Sequence, residues 1–307
     1  MTTGQRPPWD GRGLPASAMQ RIERSRSSGL STSLLSISGD TALETVGFVP
    51  VGEVMGSCVM HLGFAGAGGC GYGYAYGMAG RSYSFGQAHT VTSRRPSAYY
   101  GFGPYVKALD QGYAAALGRM ATEAQEIGAH GVIDVRLTVD RRDSNEREFV
   151  ALGTAVRGLV GPGTPMPSRP FTTQLSGADV TSALRSGWVP VSIVVAICLG
   201  VRHDDTQTRN QVMTWSNTEV HGYTELVSTV RSDARDLFAE RVRASGANRS
   251  YLTDMKLNIW GTEVGPGHRD HVAESIVLGG GLVSFASRLP RPTTLTMIPL
   301  RPTRRPK

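Results

Sequence analysis

Two long segments of the chain carry apolar residues at steps of three and four, the spacing that places them on one face of an α-helix. One segment runs from Tyr105 to Ile127 and the other from Tyr223 to Ser245. Each is followed by a Gly-Ala pair, and a glycine just past the last periodic residue is a helix stop signal. The pattern therefore predicts two long amphipathic helices that end in the same way.

A strand in which apolar and polar residues alternate follows each helix, over residues 133–140 and 254–259. A more apolar strand comes next, beginning at Phe149 and at Glu274. Ahead of each long helix lies a Val-Pro-Val strand, which follows a short helix predicted from a Ser-Gly start and a glycine stop. Because alternation leaves one face of a strand polar, we expect each half to form an antiparallel sheet covered on one side by its long helix.

The two halves also share a nearly identical stretch. GFVPVGEVMGSC, from Gly47 to Cys58, and GWVPVSIVVAIC, from Gly187 to Cys198, lie 140 positions apart and align without a gap. We therefore predict a tandem duplication of one α+β unit, in which Cys58 and Cys198 occupy the same place.

This organisation divides the chain into five parts. They are a basic N-terminal tail at 1–30, the first copy at 31–160 with a Gly- and Tyr-rich insert at 61–104, a Gly- and Pro-rich linker at 161–170, the second copy at 171–287, and a Pro- and Arg-rich tail at 288–307. The formal net charge of +7 comes from the two tails, and the body between them is slightly acidic. We expect the tails to be disordered and available to acidic surfaces, and the core not to bind nucleic acid.

The Val-Pro-Val pattern, the helix that ends in Gly-Ala and the Gly-rich last strand resemble the YbjQ family, small bacterial proteins to which heavy-metal binding is ascribed. The resemblance covers nearly all of residues 31–287, because each of the two copies carries it. It implies a dodecin-like α+β fold and assembly into rings of five, so a ring-like homo-oligomer is expected. The duplication, the tails and the insert depart from the single-domain pattern of the family.

The apolar runs and the cysteines predict a cytoplasmic protein. The longest apolar run, Val189 to Val201, is shorter than the roughly 20 residues that a membrane-spanning helix needs. The N-terminal residues contain no apolar signal-peptide core. Three cysteines, an odd number, disfavour a disulfide framework and favour a reducing compartment.

Four residues are candidate metal ligands: Cys58, Cys198, His61 and His203. Thiolate and imidazole suit zinc or copper(I), and a closed structural site requires four such ligands. Neither copy supplies four, so a site would form between copies or between subunits. The competing interpretation is that both cysteines are small buried hydrophobic residues, and their position at the ends of apolar strands favours this for the cysteine pair.

The remaining motifs do not predict catalysis. His268 and His271 follow a Gly-Pro-Gly turn and are interpreted as a solvated hairpin tip. There is no G-x-S-x-G elbow, no recognisable Cys/His signature and no phosphate-binding glycine motif. The predicted function is therefore a non-enzymatic, oligomeric binding protein for a soft metal. The alternative is a small-ligand or flavin-binding protein or enzyme that uses the Gly/Tyr-rich insert as a lid.

Overall fold

The computed structural model describes residues 9–11, 13–28, 32–62, 90–94, 103–143, 145–159, 167–265 and 268–285. In the first half these form α1 (Ala16–Ser28), α2 (Ile37–Glu44), β1 (Phe48–His61), β2 (Val91–Thr92), α3 (Gly103–Glu126), β3 (Gly131–Asp143) and β4 (Glu146–Gly158). In the second half they form β5 (Phe171–Thr172), α4 (Gly177–Arg185), β6 (Trp188–His203), α5 (Thr206–Val212), α6 (His221–Ala244), β7 (Arg249–Gly265) and β8 (His268–Ser284). Both long helices therefore form where the periodicity predicts them.

The strands make two four-stranded sheets with matching topology. The first sheet has the order β1-β4-β3-β5 and the second the order β2-β6-β8-β7, so the three long strands follow the same antiparallel order in both. Each Val-Pro-Val strand has a bulge just after its proline, Pro50 in β1 and Pro190 in β6. The α+β class with antiparallel sheets is confirmed, and the shared order is what a tandem duplication predicts.

The sheets and the long helices stack in four layers: the first sheet, α3, the second sheet and α6. Residues of α3 pack in one cluster with both sheets, joining Phe149 of β4 to Ile197 of β6 through Tyr113. The opposite face of the second sheet packs on α6, where Phe238 and Val230 contact β6 and β8. The expectation that each sheet has one covered face is therefore wrong for the second sheet, whose two faces are both buried by helices.

Two charged contacts hold these layers together. The guanidinium of Arg241 on α6 makes two hydrogen bonds of 2.8 Å to the carboxylate of Asp110 on α3, and a third of 2.7 Å to the carbonyl of Val195 on β6. The hydroxyl of Tyr105 on α3 donates to Glu274 on β8 at 2.7 Å. Both contacts join the first half of the chain to the second.

The position that corresponds to Arg241 in the first half is Glu123, since each lies five residues before the glycine that ends its helix. Glu123 is 1% exposed and accepts bonds of 2.9 and 2.6 Å from Arg21 of α1, and one of 3.1 Å from the N–H of Met55. Residues 16–28 therefore form a helix that docks on the first half, whereas their composition predicts a disordered tail. The reason is that one buried carboxylate gives Arg21 a partner that composition does not reveal.

Two further contacts join the halves at the start of the second copy. Strand β5 lies parallel to β3, with Phe171 opposite Gly131. Helices α2 and α4 meet at Gly39 and Gly177, and a Cβ atom on Gly177 would come within 2.6 Å of the carbonyl oxygen of Gly39. Only glycine permits this approach.

None of the helices in the described ranges is long and apolar enough to cross a membrane.

Candidate metal-binding residues

Cys198 lies at the centre of the second half's core. It is fully buried between β6 and α6, and its sulfur accepts a hydrogen bond of 3.6 Å from the hydroxyl of Ser93. Ser93 follows β2, a strand of the Gly/Tyr-rich insert, so this part of the insert belongs to the core. Burial raises the pKa of Cys198 to about 11. Because the thiolate is the metal ligand, a thiol that keeps its proton at neutral pH is a poor one.

Cys58 occupies the corresponding place on β1. It is 9% exposed and points to the same face as Gly56, which lies against α3. Both cysteines are free thiols. The layer order places α3 and the second sheet between the two sulfurs, so within one chain they do not share a site.

His61 ends β1 and is exposed, opposite Glu146 of β4. Cys58 and His61 are three residues apart, an odd number, and side chains alternate along a strand, so they point to opposite faces of the sheet. The Cys-x-x-His spacing therefore does not bring this sulfur and this imidazole together on β1. The next residues, 63–89, including Cys70, lie outside the described ranges.

His203 ends β6, and its side chain is 40% exposed. Its Nδ1 lies 2.5 Å from Oδ1 of Asp270, a buried carboxylate on the neighbouring strand β8. A carboxylate that binds one ring nitrogen fixes the orientation of the imidazole, and histidines that ligate metals commonly have such a partner.

The prediction that His271 belongs to a solvated hairpin tip is wrong. It lies within β8, opposite Arg202, and its side chain is 12% exposed. Its Nε2 lies 2.7 Å from the hydroxyl of Tyr223 on α6 and 3.2 Å from Oδ2 of Asp204. The imidazole is buried because Asp204, in a loop, and Tyr223, on a helix distant in sequence, both contact it. No local sequence pattern predicts these contacts.

These two histidine–aspartate pairs lie on opposite faces of the second sheet. Asp270 shares the α3 side with Glu274, because the two are four residues apart on β8, whereas His271 faces α6. Oδ1 of Asp204 is buried and has no hydrogen-bond partner, and burial together with the charge of Asp204 raises the pKa of Tyr223. The two pairs therefore lie at separate places in the second half.

A closed four-ligand metal site does not fit the described part of one chain. No group of three or more His, Cys, Asp and Glu residues that could hold a metal ion occurs in it. An open depression beside α5 is lined by hydroxyl and amide side chains, among them Thr206, Asn210 and Gln211, and none of its lining residues is titratable. This depression offers hydrogen bonds but no general acid or base.

The comparisons with known proteins agree with the resemblance inferred from the sequence. Residues 100–158, which hold α3, β3 and β4, match the model of the YbjQ family, described as "putative heavy-metal-binding". A protein of Mycobacterium tuberculosis named encapsulin nanocompartment protein is 31% identical over 172 residues, which are 55% of this chain and 55% of that protein. The chain thus spans about half the length of this curated relative. No solved structure matches this chain. The predicted resemblance is confirmed over residues 100–158, which are similar to the YbjQ family.

Proposed function

We propose that the protein is a non-enzymatic heavy-metal-binding protein that works as an assembly of several copies and binds its metal through histidines at strand ends, chiefly His203. The hydrogen bond between His203 and Asp270 carries this proposal, because it joins a partly exposed imidazole to a buried carboxylate. This is the arrangement that orients and strengthens an imidazole ligand. The family description supports a metal as the ligand.

The cysteines have a different role in this proposal. Cys198 is fully buried and its pKa is raised, and Cys58 is buried in another layer, so both pack in the core. The odd number of cysteines supports a reducing compartment such as the cytoplasm.

The assembly follows from the shortage of ligands. Asp270 binds Nδ1 of His203, so the pair offers a metal only Nε2 of that imidazole, and zinc in a closed site takes four ligands. The missing donors would come from a second copy of the chain. The name of the mycobacterial relative, an encapsulin nanocompartment protein, supports a role within a larger assembly.

The test is the metal content of the purified protein, measured by elemental analysis after incubation with zinc and gel filtration. We expect His203→Ala to lower the bound metal per chain to less than half, since it removes the anchoring imidazole. His221→Ala, which changes an exposed histidine away from the pair, is the matched control and should bind as the wild type does. Wild-type content in His203→Ala, or loss of metal in Cys198→Ala, would refute the assignment.

An absorption spectrum of the same preparation distinguishes metal binding from the alternative function, flavin binding. A bound flavin absorbs visible light, whereas zinc does not. A colourless protein with stoichiometric zinc is the expected result, and a yellow protein without metal would favour flavin binding.

A further inference from the structure

We propose that the depression beside α5 binds a neutral saccharide, and that Trp215 at its rim packs against the sugar ring. The site uses none of the residues assigned to metal binding, so it adds a second ligand to the proposed function. Three features of the molecule support this assignment. They are the hydrogen-bonding groups of the depression, its lack of charged side chains and the exposure of the neighbouring indole.

The depression is formed by α5 and the loop that follows it, within residues 206–218, and its volume is about 570 Å³. Only threonine, serine, asparagine and glutamine line it among the described residues. Each of these amides carries donors and an acceptor, and each hydroxyl can act as either. The hydroxyl groups around a sugar ring have the same dual character, so such a lining complements a sugar without any charge.

Three amide side chains point from α5 toward this depression. Gln207 lies three residues before Asn210 and four before Gln211, so all three share one face of the helix. The amide of Gln211 is held on both sides by His221, since its oxygen accepts from the N–H of His221 at 3.1 Å and its nitrogen lies 3.1 Å from Nδ1. Gln207 and Asn210 are exposed, and their amides have no hydrogen-bond partner among the described residues, so both are available to a ligand.

The helix that carries these amides is anchored to the second sheet. A helix of seven residues is marginal by itself. Asp205 caps α5 by accepting from the N–H of Thr208 at 2.7 Å, and the buried guanidinium of Arg202 on β6 holds Asp205 at 3.2 Å. The amides therefore stand on a fixed support, which lowers the entropy that binding must cost.

The charged residues nearest in sequence are already paired elsewhere. Asp204 contacts His271, and Glu219 accepts from the hydroxyl of Thr224 at 2.7 Å. None of the described residues that line the depression is charged. A phosphate or carboxylate would find no cation there, and a cationic ligand would find no carboxylate. The lining therefore favours a neutral ligand.

Trp215 is fully exposed, and its neighbours in the chain, Thr214 and Ser216, both line the depression. The N–H of Ser216 donates to the hydroxyl of Thr214 at 3.4 Å, so the chain turns at this point and the indole stands at the rim. The face of an aromatic ring is electronegative, and the C–H groups on one face of a sugar ring are weakly positive, so the two surfaces attract each other.

A protein partner fits this surface less well than a sugar does. A specific protein interface buries roughly 800 Å² on each partner and has an apolar centre. This loop exposes three large apolar side chains, Val212, Met213 and Trp215, beside a lining that is entirely polar. One exposed ring next to uncharged amides and hydroxyls suits a small polyhydroxylated ligand.

The experiment titrates the full chain with glucose, maltose and trehalose and follows binding by saturation-transfer difference NMR, which observes the sugar itself. We expect a dissociation constant on the order of 1 mM, because the depression is open and its hydrogen bonds replace those to water. Trp215→Ala should weaken binding about tenfold or more, and Trp215→Phe, which keeps an aromatic face, should weaken it less. Asn210→Ala should weaken binding about fivefold, since it removes one hydrogen-bonding amide.

Two exposed residues of the same loop that do not line the depression supply the matched controls. Asn217→Ala and Met213→Ala should bind as the wild type does. All of the substituted side chains are exposed, so the thermal melts of the variants should match the wild type. Glucuronate and glucosamine, which carry opposite charges, should bind no more tightly than glucose, and binding should not change when the salt concentration rises about tenfold.

The remaining outcomes overturn the assignment. Absence of saturation transfer to all three sugars, at concentrations about tenfold above the expected dissociation constant, refutes it. Binding that survives in both Trp215→Ala and Asn210→Ala places the sugar elsewhere and also refutes it. If native mass spectrometry shows that Trp215→Ala dissociates an assembly of the wild type, the indole is a contact between copies instead. The metal content of the protein is measured separately and is not affected by any of these results.

Discussion

Replacing Cys198 by alanine separates packing from metal binding. The side chain is fully buried between β6 and α6, so the substitution removes one sulfur from a dry core and leaves a small cavity. The lost burial and the cavity together should lower the free energy of unfolding at pH 7 by about 1–2 kcal/mol. Urea unfolding followed by circular dichroism measures this difference.

The thiol adds a second, pH-dependent signature. Burial raises the pKa of Cys198 from 9.0 to about 11 in the folded protein. Below pH 9 the thiol is protonated in both states, so its titration does not alter stability. Between pH 9 and 11 the unfolded state loses the proton while the folded state keeps it, so wild-type stability falls by about 1.4 kcal/mol per pH unit from this group.

Alanine does not titrate, so the variant lacks this loss. The stability gap between wild type and variant should therefore shrink above pH 9 and close or reverse near pH 11. The buried tyrosines titrate in both proteins and cancel in the difference. A gap that stays constant from pH 7 to 11 would refute the buried-thiol interpretation, and a chelator that destabilises the wild type but not the variant would show that the sulfur binds metal.

Three further predictions concern the packing of the layers, and urea unfolding checks each of them. Gly56→Ala should lower the free energy of unfolding by about 3 kcal/mol or prevent folding, because the new methyl group would collide with the backbone of α3. The control Gly118→Ala faces open space in α3 and should raise it by about 0.5–1 kcal/mol, and equal effects of the two changes would contradict the close approach. Asp110→Ala should cost about 1–2 kcal/mol because it removes the partner of Arg241, and a double-mutant cycle that shows no coupling would refute the contact between the halves. Glu123→Ala should cost about 2–3 kcal/mol and expose α1 to proteolysis, since the carboxylate is buried and holds that helix; an unchanged digestion pattern would refute the docking.

The sequence determined the local elements, because backbone geometry fixes their periods. Apolar steps of three and four predicted α3 and α6, and the Gly-Ala pairs marked where both end. The repeated Val-Pro-Val stretch predicted two units with the same strand order, and that order is observed. The strand period also separates Cys58 from His61, since three residues along a strand reverse the direction of the side chain.

Which faces meet was decided only by the tertiary structure. The alternation in β3 and β7 indicated one covered face per sheet, yet α3 of the first half covers the second face of the second sheet. The apolar run from Val189 to Val201 indicates a strand buried on both faces, because such a strand has no polar alternation. An apolar run does not indicate which helix covers each face.

The polar contacts depend even more on the fold. His271 meets Tyr223 and Asp204, which lie 48 and 67 residues away along the chain, and Arg21 meets Glu123 across 102 residues. Such pairs form because the packed layers bring buried donors next to buried acceptors, and an unpaired group there would cost free energy. Local periodicity does not predict contacts between residues so far apart in sequence. The hydrogen-bond partners of His203 and His271 are therefore determined by the packing of β6, β8 and α6.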